Sequence, residues 1–131
     1  MGENMTVNDL LLQHYIAGAF AVPMALPNHN FKPPQTGMWA KFQLMPTNSY
    51  KGNLRETEQA GVLQITLFAP VNTKTADIEA KTNAIVEHFG TEKQHNINGH
   101  NLIIMSSTAN NAMPDGQGWY MQPISISYQV I

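Results

Sequence analysis

The sequence predicts an α+β fold, with a mostly antiparallel β-sheet and two α-helices packed on one face of it. Residues 61–70 alternate in side-chain character like a strand, and residues 73–89 repeat their apolar positions at helical spacing until Gly90. Strand patterns outnumber helical ones, and turn residues join consecutive strands, which is typical of antiparallel pairing. The expected order of elements is therefore α-β-β-β-α-β-β-β.

The first element is a helix predicted from about Thr6 to Phe20. Asp9 lies in its first turn, where the helix dipole favours a carboxylate. Pro23 ends the helical pattern, and the prolines of the short extended piece at residues 22–26 confine it to a sheet edge. Spacings of three and four predict the core face of the helix: Val7, Leu10, Leu11, His14, Ala17 and Phe20.

Two strands follow, separated by a long loop. The second strand is predicted from about Met38 to Met45, and its most economical partner is the third strand at residues 61–69. Because successive strand residues point to opposite faces, Trp39, Lys41 and Gln43 are expected on the same side of the sheet.

The loop of residues 46–59 is the candidate contact for assembly. Loops of this length are uncommon inside compact domains and are often functional. It contains tyrosine and arginine, two residue types in which interface binding energy concentrates. The candidate interface residues are Tyr50, Lys51, Asn53 and Arg55.

The second helix is predicted to begin with a cap at Thr73 or Thr75 and to end at Gly90, a residue suited to a helix C-terminus. One stripe of this helix is expected to face the sheet. It consists of Ile78, Thr82, Ile85 and Phe89.

The remaining strands are marked by two turns. Asn98-Gly99, between apolar runs, is the favoured pair for a tight β-hairpin. A second turn at residues 114–118 introduces the last strand, predicted from Trp119 to Val130. These strands complete the expected sheet.

Composition predicts one domain over residues 1–131 with a weakly charged surface. Charged residues make up 12% of the chain, about half the usual ~25%. Asn and Gln supply polarity instead, and uncharged groups cost less to bury than ions. This favours a protein much of whose exterior becomes interface, although an amide-rich monomer would have the same composition.

Charge and hydropathy exclude two classes of partner. Seven Lys+Arg residues and a net charge of −2 argue against nucleic-acid binding, which usually requires a basic stripe. No apolar run approaches the ~18 residues that indicate a membrane span. We therefore expect neither nucleic-acid specificity nor a membrane partner.

The sequence contains no recognisable catalytic, cofactor-binding or metal-binding motif. Without cysteine, disulfides, thiolate zinc sites and cysteine nucleophiles are excluded. His88, His95 and His100 match no metal-ligand spacing and are interpreted as solvated histidines. Ser106-Ser107-Thr108 lacks the flanking glycines of a nucleophile elbow. The residues therefore favour a non-enzymatic protein without cofactor or metal.

Several segments together resemble a known family. They are the Pro/Asn-rich segment from Pro27 to Pro34, then Gly37-Met38-Trp39-Ala40, Gly61-Val62-Leu63-Gln64-Ile65, Phe68-Ala69-Pro70, and a helix ending in His88-Phe89. This arrangement resembles a family of small phage and prophage proteins that is similar to the tail-terminator proteins of long-tailed phages. The resemblance covers roughly residues 5–130. The family tends to have glycine near the start of the second helix, where this chain has Val71-Asn72-Thr73-Lys74.

The resemblance implies a structural virion protein of the phage tail or neck, assembled in the bacterial host cytoplasm. It implies a ring of identical subunits, a homohexamer, that caps the completed tail tube and joins it to the head-completion, or connector, protein. Two other classes stay open. One is a different head-tail joining component, and the other is a small-molecule-binding or enzymatic domain with a pocket under the 46–59 loop.

Overall fold

The computed structural model describes residues 7–18, 20, 22–26, 31–32, 37–46, 59–90, 93–97 and 99–130. Within these residues the chain forms two helices and seven strands. In chain order they are α1 (Val7–Ala17), β1 (Met24–Ala25), β2 (Trp39–Pro46), β3 (Gln59–Pro70), α2 (Thr75–Phe89), β4 (Lys93–Ile97), β5 (His100–Ala109), β6 (Met113–Pro114) and β7 (Trp119–Val130). The predicted α+β class is confirmed, with the two-residue β6 as an additional strand.

The strands form one mostly antiparallel sheet in the order β1-β2-β3-β7-β5-β4, with β6 also paired to β7. β2 pairs with β3, as predicted, and the register places Phe42 opposite Ile65. β7 lies between β3 and β5 and pairs with both. β1 runs parallel to β2 at one edge, consistent with the position that its flanking prolines predict.

Both helices pack on the same face of the sheet. Tyr15 of α1 contacts Phe42 of β2, with their aromatic rings 6.5 Å apart, and α2 packs against β5 and β7. Ser107 of β5 donates a hydrogen bond of 3.0 Å to the carbonyl oxygen of Val86 in α2. The sheet side of this core contains fully buried aliphatic residues: Leu63, Ile65, Leu67, Leu102, Ile104, Ile124 and Ile126.

The first helix is shorter than predicted, and its core face differs. Its last turn closes at Gly18, whose N–H donates to the carbonyl oxygen of Tyr15 at 3.0 Å. Phe20 is buried, but it lies beyond the helix. Ala17, predicted to face the core, is exposed, whereas Tyr15 is buried. Burial of Tyr15 raises the pKa of its phenol to about 12.

The second helix confirms the predicted stripe, since Ile78, Thr82, Ile85 and Phe89 are its buried residues. The predicted threonine cap is wrong. Lys74 occupies the N-cap position with extended backbone and makes no side-chain capping bond. At the other end Gly90 has a φ of 75° and its N–H donates to Val86, so glycine ends the helix as expected.

The β4–β5 connection supports the predicted hairpin. The two strands pair antiparallel, and the pair nearest the turn is Ile97 opposite His100. Gly99 has a φ of 84°, a value that glycine adopts without steric cost. Asn98 lies outside the described residues, so the turn type stays a prediction.

Candidate assembly surface

The sheet face opposite the helices has no described helix packed on it, and we call it the helix-free face. Strand alternation and register place Trp39, Lys41 and Gln43 of β2 on this face, as predicted. Their cross-strand partners on β3 are Phe68, Thr66 and Gln64. Every second residue of the central strands therefore points to this side.

An aromatic cluster of Phe31, Trp39, Phe68 and Trp119 lies at one end of the helix-free face. Trp39 stacks on Phe68, with ring centroids 4.1 Å apart and planes at 6°. Trp119 meets Trp39 edge-on, with ring centroids 5.9 Å apart, and the ring of Phe31 lies 5.1 Å from that of Trp39. Phe68 is buried by this packing, whereas the other three are half-buried. The cluster therefore offers partly exposed aromatic surface to a partner.

Trp39 also has an unused hydrogen-bond donor. Its indole Nε1 is buried and has no hydrogen-bond partner among the described residues. A buried N–H without an acceptor is costly, and such groups are rare in native proteins. Within the described residues, the centre of the aromatic cluster therefore contains a hydrogen-bond donor without an acceptor.

The rest of the helix-free face is almost uncharged, and its polar residues outnumber apolar ones such as Met45, Val62 and Met121. Among the described residues that β2, β3, β5 and β7 direct to this side, Lys41 is the one charged side chain. Amides and hydroxyls cover most of the remainder, and they cost less to desolvate than ions. They include Gln43, Gln64, Thr66, Ser106, Thr108, Ser125, Ser127 and Gln129.

An apolar groove of about 280 Å³ lies beside α1 and β1. Ile16, 63% exposed, is the most open of its side chains. Tyr15 provides the one hydroxyl in the lining, and that buried oxygen has no hydrogen-bond partner in the part of the chain that the structure describes. The lining residues are Leu12, Tyr15, Ile16, Phe20, Val22, Met24 and Leu26. This lining contains no group suited to acid-base or nucleophilic chemistry.

Three histidines come together on the helix side of the sheet, and we call them the histidine cluster. His14 of α1 stacks on His88 of α2, with ring centroids 4.1 Å apart and planes at 17°. His95 of β4 also packs against the ring of His14, with ring centroids 4.1 Å apart. The interpretation of His88 and His95 as solvated is wrong, because both are half-buried. The side chain of His100 is not described.

The Nε2 atoms of the histidine cluster face backbone carbonyl oxygens. His14 Nε2 lies 3.2 Å from the carbonyl oxygen of His88, and His88 Nε2 lies 2.6 Å from that of His14. His95 Nε2 approaches the carbonyl oxygen of Phe89 at 3.4 Å. Facing a carbonyl oxygen, each of these nitrogens acts as a hydrogen-bond donor, and a protonated nitrogen has no lone pair with which to bind a cation. Within the described part of the chain, no group of three or more His, Asp or Glu residues is arranged to hold a metal.

Burial lowers the pKa of His14 to about 4, because the charged imidazolium loses solvation. The hydrogen bond to the His88 carbonyl opposes this shift, and the charges of His88 and His95 add to it. The neutral form of His14 is therefore favoured in the folded protein.

The predicted interface residues are not among those that the structure describes. Tyr50, Lys51, Asn53 and Arg55 all lie between β2 and β3, outside the described residues. They stay a prediction. The helix-free face, in contrast, was only partly anticipated, because strand alternation indicated the side of Trp39 but not its partners.

Comparison with known proteins gives the family. The sequence model described as phage tail terminator protein matches residues 6–128 and confirms the resemblance. No curated protein matches this chain. A solved structure superposes with a TM-score of 0.71 and 20% identity, covering 96% of this chain and 97% of that chain, which supports the fold alone. None of the described helices is long and apolar enough to cross a membrane. The chain belongs to the phage tail terminator protein family, and it is a structural protein of a phage tail.

Proposed function

We propose that this chain forms a closed homohexameric ring that caps the completed tail tube and joins it to the head-completion protein. Family membership gives the tail-protein role. The observation that carries the assembly contact is the helix-free face, which combines a partly exposed aromatic cluster with a nearly uncharged polar surround.

The chemistry of the helix-free face suits protein contact. Aromatic residues are enriched in protein interfaces, and charged residues are depleted from interface cores. Contact with a partner would cover Trp39 and Trp119 while desolvating mostly amides and hydroxyls, which is less costly than desolvating ions. The end of a tail tube, which is itself built of protein subunits, is the partner that we assign to this face.

Closure of the ring requires a second surface, because each subunit must meet two neighbours. The sheet order places β1 and β4 at opposite edges. Edge strands carry backbone groups that can pair with another chain. A head-to-tail contact that uses different surfaces of the two neighbours closes into a ring when the rotation permits. We therefore assign the subunit contacts to the two sheet edges, together with the 46–59 loop.

Charge reversal on the helix-free face tests this proposal. Lys41 is exposed there, and its long side chain can keep the ammonium in water at the rim of a contact. The shorter carboxylate side chain of Lys41→Glu would instead have to be desolvated on contact. We expect this variant to fold normally and to decorate tail-tube ends at least tenfold more weakly, a loss of about 1.4 kcal/mol. Electron microscopy with purified tail tubes measures decoration, and light scattering over a concentration series measures ring formation.

Lys74→Glu is the matched control, because it makes the same charge change at an exposed position before α2. It should decorate tubes as the parent chain does. Equal decoration by all three proteins would remove the helix-free face from the proposal. A parent chain that stays monomeric at all concentrations and never decorates tube ends would overturn the terminator function itself.

The loop of residues 46–59 is tested separately. Replacing residues 47–58 with a short glycine-containing turn should leave a folded monomer, seen by circular dichroism, but reduce ring formation and tail completion. Single substitutions Tyr50→Ala and Arg55→Ala, of the types most often central to interfaces, should each reproduce part of the loss. Normal ring formation and tail length with the short turn would show that the loop makes no assembly contact.

A further inference from the structure

We propose that the histidine cluster is an acid-sensitive latch: its neutral imidazoles hold α1 against α2 and β4, and protonation releases α1 while the sheet stays folded. The cluster joins three elements, since His14, His88 and His95 belong to α1, α2 and β4 respectively. His14 lies 74 positions from His88 in the sequence, so its contacts with α2 and β4 are tertiary. Loosening them changes how the elements pack together.

The hydrogen bonds between α1 and α2 are reciprocal. The ring of His14 donates to the backbone of His88, and the ring of His88 donates to the backbone of His14. Each helix is therefore tied to the other by the same residue pair in both directions. The stacked rings fill the space between these bonds, with Phe89 edge-on to His14 at 5.0 Å.

Protonation acts against this arrangement. A proton on His14 places a positive charge 4.1 Å from the ring centroids of both His88 and His95. A second proton would place two like charges in contact in a partly desolvated site, where their repulsion is stronger than in water. Opening the cluster lets each imidazolium regain solvation.

The described surroundings do not offset these charges. Lys81 of α2 lies nearby and donates to the carbonyl oxygen of Phe20, whose ring meets His88 edge-on at 5.4 Å. The described carboxylates of α2 are exposed: Asp77, Glu79 and Glu87. None of them bonds to a histidine of the cluster. On α1 the other described titratable group is Tyr15, which packs on Phe20 and Phe42. Among the described side chains of β4, His95 is the one titratable group.

The sheet does not depend on the latch. β3, β5 and β7 are held by long antiparallel pairings, which are unbroken between β3 and β7 and have one register shift between β5 and β7, and by their own buried aliphatic residues. α1 is attached to this core by Leu11 and Tyr15, in addition to the histidine contacts. Elements with fewer buried contacts open at lower free energy than the rest of a domain. Acid should therefore open α1 first.

The direction of the pH effect follows from the lowered pKa of His14. A group whose folded pKa lies below its unfolded pKa of 6.5 stabilises the closed form above pH 6.5, and that stability is lost as pH falls toward 4. Allowing for the partial exposure of His14, the opening equilibrium of α1 should rise on the order of tenfold between about pH 7.5 and about pH 5.

Hydrogen exchange of backbone amides, corrected for intrinsic rates, measures this opening. At about pH 5 the protection of α1 should fall roughly tenfold relative to its value at about pH 7.5, while that of β3 and β7 stays constant. His14→Gln keeps an N–H donor at this position but does not titrate, so its α1 protection should not depend on pH in this range. Equal acid loss in the two proteins would overturn the latch.

Two further variants keep the result interpretable. If His14→Gln fails to fold, His95→Gln removes one neighbouring charge from His14 and should measurably reduce the acid effect on α1. Glu87→Gln removes an exposed carboxylate from α2 and should retain the full acid effect of the parent chain. Parallel loss of protection in α1 and the sheet would mean that acid unfolds the whole domain and that the cluster is not a latch.

Discussion

Replacing Phe89 with alanine is expected to lower the free energy of unfolding by about 3–5 kcal/mol, the usual cost of deleting a buried aromatic side chain. Phe89 is fully buried at the end of α2. It contacts His14 edge-on and lies beside the β4 histidine that bonds to its carbonyl oxygen. A loss of this size is a large fraction of the ~5–15 kcal/mol stability of a typical domain.

Thermal denaturation and urea titration measure this loss, and the midpoint should fall on the order of 10 °C. Glu87→Ala is the control, since it truncates an exposed side chain of the same helix and should change stability by less than about 0.5 kcal/mol. An unchanged midpoint for Phe89→Ala would mean that α2 does not pack on the sheet through this stripe.

Gly18→Ala is expected to destabilise the protein by about 1–3 kcal/mol, the cost of overpacking. A methyl group at Gly18 would lie 2.5 Å from Cζ and 2.6 Å from Cε2 of Phe20, and 3.2 Å from Cδ2 of His88. The Phe20 ring is confined by Tyr15 and His88, so it has little room to move. This cost should outweigh the ~0.4–1 kcal/mol that Gly→Ala gains where no contact opposes it.

A double-mutant cycle identifies the cause, measured by urea titration. Phe20→Leu removes the two ring atoms nearest to the new methyl group, so Gly18→Ala should cost much less in that background. The coupling between the substitutions should reach about 1 kcal/mol, as is common for residues in contact. Additive effects would show that the strain lies elsewhere.

The sequence predicted the elements whose signal is local. The stripe of α2 could be read because its apolar residues recur at helical spacing and Gly90 ends the helix. The partnership of β2 and β3 could be read because both alternate. The extent of α1 was overpredicted, since Phe20 continues the spacing of the helix although Gly18 has already turned the chain.

Non-local contacts could not be predicted in the same way. Alternation indicates which residues share a face but not which strand lies next to which, so the position of β7 between β3 and β5 required the structure. The histidine cluster joins His14 to two residues more than seventy positions away, as the separation of 74 between His14 and His88 shows. No pattern within one segment could indicate that contact.

The aromatic cluster was hard to predict for both reasons: it depends on which strands are neighbours and on contacts between distant segments. Its members come from four separate parts of the chain: Phe31, Trp39, Phe68 and Trp119. Trp39 and Phe68 become neighbours through the β2–β3 register, which no single segment specifies. The proposed interface at Tyr50, Lys51, Asn53 and Arg55 stays a prediction from loop length and residue type.

The position of the two tryptophans has a spectroscopic consequence. The chain contains two tryptophans, and both belong to the aromatic cluster on the helix-free face. The core beneath the helices is built from phenylalanine, tyrosine and aliphatic residues. Intrinsic tryptophan fluorescence therefore reports the environment of one face of the sheet without a label. Its emission maximum distinguishes covering of that face, which shifts it to the blue, from global unfolding, which shifts it to the red.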